Sequence, residues 1–137
     1  MAKDILQQKM VTFRLLESRL QNLSNQREAI FGRLSEINST IASINEIQKT
    51  GGEALFPIGS SAFVLGKITD TKKLIVEIGA GVALEKDFEE GKKTLEKNKT
   101  ELENLTKEID KEMTQTSGMM ELLAPEIESL AEKEKRI

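Results

Sequence analysis

From Leu6 onward the apolar residues step alternately by three and four. Leu6, Phe13, Leu20, Leu34 and Ile41 share one heptad position; Leu16, Leu23, Ile30, Ile37 and Ile44 share the other. Lys9 and Arg27 are the polar exceptions. A mean repeat of ~3.5 residues predicts a left-handed coiled-coil seam on a helix over 1–50, not a broad globular face. At ~1.5 Å per residue such a helix reaches roughly 70 Å. Gly51 and Gly52 are expected to cap it.

The pattern changes over 53–86, where glycines gather and β-branched runs replace the heptads. Ala54 to Ile58, Ala62 to Ile68, Leu74 to Ile78 and Val82 to Glu85 read as four strands. Turns are expected at Gly59-Ser60-Ser61 and Gly79-Ala80-Gly81, with Asp70, Thr71 and Lys72 between the two hairpins. Pro57 cannot donate to a ladder, so its strand should be an edge or end early. Two hairpins cannot cover both their faces alone. Phe56, Phe63, Leu65, Ile75, Val76 and Ile78 therefore call for a partner sheet, and are the candidate oligomerisation residues.

Helical periodicity returns over 88–137. Asp87 followed by Glu90 resembles a capping box, so the helix should begin at Phe88. Phe88, Leu95, Leu102, Ile109, Thr116, Leu123, Leu130 and Ile137 recur at strict sevens, while Gly91, Asn98, Leu105 and Glu112 make a weak second row. Met113, Met120 and Ile127 then join, which reads as a seam that changes sides. Gly118 and Pro125 should interrupt this stretch, and Pro125 should kink or end the helix. The fold expected is α+β, mostly α, in a single domain over 1–137. Two long helices fold back as an antiparallel coiled-coil hairpin, with both termini at its far tip and a central double β-hairpin. A parallel intermolecular dimer is the alternative.

Composition narrows the function. Aromatics make up only 4% of the chain and charged residues 31%, which suits thin helical seams better than a thick core. A net charge of −3 gives no general attraction to nucleic acid or to an anionic membrane surface. The N-terminus has no apolar stretch long enough for a signal peptide, and no apolar run approaches the ~20 residues of a membrane helix, so a soluble, cytoplasmic protein is expected. With no Cys and no His, thiolate metal sites and the usual nucleophile–base pairs are missing. No catalytic, cofactor-binding or metal site is expected. Ile78-Gly79-Ala80-Gly81-Val82-Ala83-Leu84 mimics a dinucleotide fingerprint, but its third glycine is Leu84 and no strand follows the helix. A hairpin turn is the better reading.

Methionine placement carries more. Met1, Met10, Met113, Met119 and Met120 all lie toward the chain ends. Met is flexible and polarizable, and suits surfaces that adapt to varied apolar shapes. Met119 and Met120 cannot both face one narrow seam. The candidate client-binding residues are thus Met10, Phe13, Met113, Met119, Met120 and Leu123.

The segment FPIGSSAFVLGKITDTKKLIVEIGAGVALEKDFEE, from Phe56 to Glu90, together with the flanking heptads, resembles the α-class subunits of the prefoldin family. Gly66-Lys67-Ile68 before the central turn and Ile78-Gly79-Ala80-Gly81-Val82 before the second helix are the specific matches. The resemblance implies an archaeal-type subunit in a hexamer of two α-class and four β-class chains, built on an oligomeric β-barrel. It further implies capture of unfolded client polypeptides at the coiled-coil tips and delivery to a group II chaperonin without ATP. A structural scaffold or filament-forming paralogue is the competing expectation.

Overall fold

The computed structural model describes residues 2–50 and 52–135, apart from the side chains of Thr50 and Ile78. The element order is α1 (Ala2–Thr50), β1 (Glu53–Gly59), β2 (Ala62–Lys67), β3 (Lys73–Gly79), β4 (Val82–Asp87) and α2 (Phe88–Lys135). The chain is α+β and mostly α, as its heptads and glycine-rich centre imply. Two compact units divide it: Met1–Gly32 with Leu102–Ile137, and Arg33–Glu101.

In the first unit α1 and α2 run antiparallel. Lys9 pairs with Glu126, Arg19 with Glu112, and Arg27 with Asp110, so α2 numbers fall as α1 numbers rise. Here Leu23 and Ile30 are buried and Leu6, Phe13 and Leu20 half-buried; in the second unit Ile37 and Ile44 are buried and Leu34 and Ile41 half-buried, and these are the heptad positions read from α1. Leu23 is the most enclosed, at 1% exposure. The threonines whose side chains are described in the two helices satisfy their hydroxyls by donating to a carbonyl four residues back, as Thr116 Oγ1 does to Glu112 O at 2.8 Å.

On α2 the seam differs from expectation in two ways. It does not change sides. The row containing Met113, Met120 and Ile127 already begins at Lys92, Lys99 and Thr106, all half-buried. Alternating with Phe88, Leu95, Leu102, Ile109, Thr116 and Leu123, it steps by three and four throughout. The two lysines hide this row in the sequence, because a lysine can lay its alkyl stem along an apolar seam and keep its ammonium group wet. Nor do Gly118 and Pro125 end the helix: α2 runs through both to Lys135. Pro125 removes the hydrogen bond to the Glu121 carbonyl, but both residues are exposed, where water can satisfy that carbonyl. Leu123, Ile127 and Leu130 hold the other side of the helix in the seam.

In the second unit the strands form two separate antiparallel pairs, β1–β2 and β3–β4. Both central residues of each turn have positive φ, Ser60 (47°) and Ser61 (64°) after Gly59 in one, Ala80 (50°) and Gly81 (76°) after Gly79 in the other. That is the type I′ geometry whose twist matches the strands. The fingerprint-like glycines are thus a hairpin turn. Asp70 Oδ1 accepts from the Lys72 backbone N–H at 2.8 Å, shaping the link between the hairpins. Gly51 of the expected cap lies outside the described residues; Gly52 has φ 131°.

The two hairpins repeat each other at an offset of twenty residues. Glu53↔Lys67, Leu55↔Leu65 and Pro57↔Phe63 correspond to Lys73↔Asp87, Ile75↔Glu85 and Glu77↔Ala83, and both first strands carry one extra residue before the turn. Even the closing bonds match. Ile68 N–H donates to Gly52 O at 3.1 Å, and Phe88 N–H to Lys72 O at 2.8 Å.

Candidate functional site

Within the first unit the candidate client-binding residues separate by depth. Met10 and Phe13 line one groove together with Ala124 and Ile127. Met113 and Met120 line another, an open groove of about 1080 Å³, with Leu20 and Gly118. Phe13, Met113, Met120 and Leu123 are half-buried in the seam, whereas Met119 points outward at 57% exposure. Adjacent helical positions turn ~100° apart, which is why Met119 and Met120 divide in this way.

The sequence reading missed a set of apolar residues that the seam does not use. Leu15 (66% exposed), Leu122 (76% exposed) and Val11 stand on solvent-facing positions of the same unit, as does Phe31. Val11 with Leu15, and Met119 with Leu122, are spaced as same-face helical neighbours. Their signal was present: each is apolar but off the three-four rhythm. Coiled coils ordinarily fill such positions with polar residues. The grooves are open, with Arg14 and Glu17 bordering both and Glu121 the second, so they suit a polypeptide laid along the surface rather than an enclosed small molecule.

In the second unit the candidate oligomerisation residues fall on two faces of the hairpins. Phe56 and Val76 share the inner faces with Val64 and Leu84, and Phe63, Leu65 and Ile75 lie on the opposite faces. Phe56 covers Gly66 so closely that a Cβ there would meet its ring at 2.7 Å. Leu74, also on an inner face, packs onto Gly91 at the start of α2. Phe56, Phe63, Leu65 and Ile75 are nonetheless exposed in the single chain, and Val76 is half-buried. The Ile78 side chain lies outside the described residues. Apolar side chains left uncovered in this way make the hairpins a candidate interaction surface.

A family model described as prefoldin subunit matches residues 16–133. The chain belongs to the prefoldin subunit family. Among similar prefoldin alpha subunits, that of Nitrosopumilus maritimus is 35% identical over 104 residues, covering 75% of this chain and 72% of its own. That of Methanobrevibacter smithii is 27% identical over 110 residues, covering 80% and 75%. That of Pyrococcus horikoshii is 27% identical over 128 residues, covering 91% and 82%. The fold is shared with a filamentous prefoldin from Methanocaldococcus jannaschii solved by cryo-electron microscopy. Its TM-score is 0.72 at 20% identity, over 84% of this chain and 97% of that one. As a prefoldin subunit the chain is part of a chaperone. Among the described residues, no helix is long and apolar enough to cross a membrane.

Proposed function

We propose that this prefoldin subunit is an ATP-independent holdase component, not an enzyme, acting in the cytoplasm and binding neither nucleic acid nor membrane. The hairpins combine with those of β-class subunits, two chains of this kind with four of the other, to close a β-barrel. The first unit, with Met10, Phe13, Met113, Met119, Met120 and Leu123, captures unfolded client polypeptides and passes them to a group II chaperonin. The observation that carries this reading is the set of apolar side chains left in solvent beside the seam, Leu15, Met119 and Leu122 above all. They contribute little to pairing α1 with α2. An exposed, Met-containing apolar surface can repack its side chains on different chains, each contact adding about 1 kcal/mol or less. Several such surfaces in one assembly then act together through effective concentration.

The test is light scattering of a chemically denatured protein diluted into the assembled complex. Suppressed aggregation without nucleotide supports capture, and unchanged aggregation removes it. A structural, filament-forming role is the second reading, favoured by the filamentous form of the structural neighbour. Open-ended assemblies with no effect on aggregation would establish that role instead.

A further inference from the structure

Every methionine of the chain falls within 1–32 or 102–137, the two stretches of the first unit, and the second unit has none. The chain also lacks Cys, Trp, Tyr and His. Its thioethers are therefore the side chains that a peroxide oxidises readily, and all of them fall in the unit that carries the candidate client surface. The hairpins offer such an oxidant no sulfur to attack.

Depth grades these methionines. Met119 is 57% exposed and Met10 39% exposed. Met113 and Met120 are half-buried, in the seam row that also holds Ile127. Met119 and Met120 are adjacent, so one short segment carries a solvent-facing thioether beside a seam-facing one. A change at Met119 alters the outward surface it shares with Leu122, while α1 and α2 pair through other residues.

We propose that Met119, together with Met10, is a site of reversible oxidation by hydrogen peroxide or an organic hydroperoxide, and that the sulfoxide form weakens client capture without disturbing assembly. The inference rests on the capture reading above. In the step, the sulfur lone pair attacks the hydroxyl oxygen of the peroxide, and an S–O bond forms as the O–O bond breaks. The released hydroxide or alkoxide takes the proton of the new S–OH and leaves as water or an alcohol. Sulfur is oxidised by two electrons and the peroxide reduced by two. A polar, chiral sulfoxide replaces an apolar, polarizable thioether, which removes the property that suits Met to varied apolar partners. Val11, Leu15 and Leu122 are untouched, so capture falls rather than vanishes. Methionine sulfoxide reductases reverse the change: a thiol pair becomes a disulfide and the oxygen leaves as water.

The experiment treats the full-length chain with hydrogen peroxide, removes the oxidant and assembles the chain with untreated β-class subunits. Fragment-resolved mass spectrometry follows the added oxygen at each methionine, while native mass and light scattering of a denatured client follow the complex. Met119 and Met10 should oxidise several-fold faster than Met113 and Met120. Once those two are sulfoxides, the native mass should be unchanged and protection should fall about twofold or more. Methionine sulfoxide reductases A and B with a thiol should restore it. A chain carrying Met10→Leu and Met119→Leu, measured against its own untreated sample, should lose far less. Met120 oxidising as fast as Met119, protection that survives full sulfoxide formation at Met10 and Met119, or a loss that the reductases do not reverse overturns this proposal alone. An untreated wild type that protects no client removes the holdase reading and this one with it.

Discussion

A Cβ placed on Gly91 would lie 2.6 Å from Leu74 Cδ1, so the second hairpin is seated on α2 through the absence of a side chain. The sequence shows Gly91 only as a weak member of a heptad row; its role appears once Leu74 is found above it. Replacing Gly91 with Leu should destabilise the chain by about 1–3 kcal/mol, because Leu74 must leave its place. Gly118 is the contrast, with nothing within 4 Å of where a Cβ would sit. Gly118→Ala should stabilise α2 by about 1 kcal/mol. Thermal unfolding of the two variants should shift in opposite directions.

Arg27 interrupts the α1 seam at a position otherwise taken by Leu, Ile or Phe, and its Nε lies 2.8 Å from Asp110 Oδ1. Both side chains are about half exposed, so the ion pair contributes at most about 1 kcal/mol. Its effect is on register, since a polar residue in a seam favours one alignment at a cost in stability. Arg27→Leu should therefore raise the urea midpoint by the equivalent of about 1 kcal/mol. A lower midpoint would mean that the pair matters for stability itself.

The inner faces give a third prediction. Phe56→Asp places a charge where Val64 and Gly66 need an apolar cover, and burying it unpaired costs several kcal/mol. Native mass should fall to that of smaller species while helical circular dichroism stays near the wild-type value, because α1 and α2 pair through other residues. Val76→Asp should act alike in the other hairpin.

Most of the architecture was legible because it is periodic. The α1 seam, both hairpins, their turns and the start of α2 at Phe88 follow from spacing and from glycine placement. What escaped was chemistry that periodicity records badly. Lys92 and Lys99 look polar to a pattern of apolar positions, yet both are half-buried on the seam row. Pro125 looks like a stop, yet exposure of its turn makes the lost hydrogen bond tolerable. Leu15 and Leu122 look like incidental leucines until the seam is assigned, when they are left largely in solvent.

Those residues carry the most direct test of the central claim. Val11, Leu15, Met119 and Leu122 lie outside the seam, so changing all four to Ser removes exposed apolar surface and leaves the pairing of α1 with α2 intact. The measurement pairs the native mass of the assembled complex with light scattering of a denatured client at fixed stoichiometry. The account predicts an unchanged mass with protection lowered several-fold. Full protection by the correctly assembled fourfold variant would contradict it and place client capture on another surface.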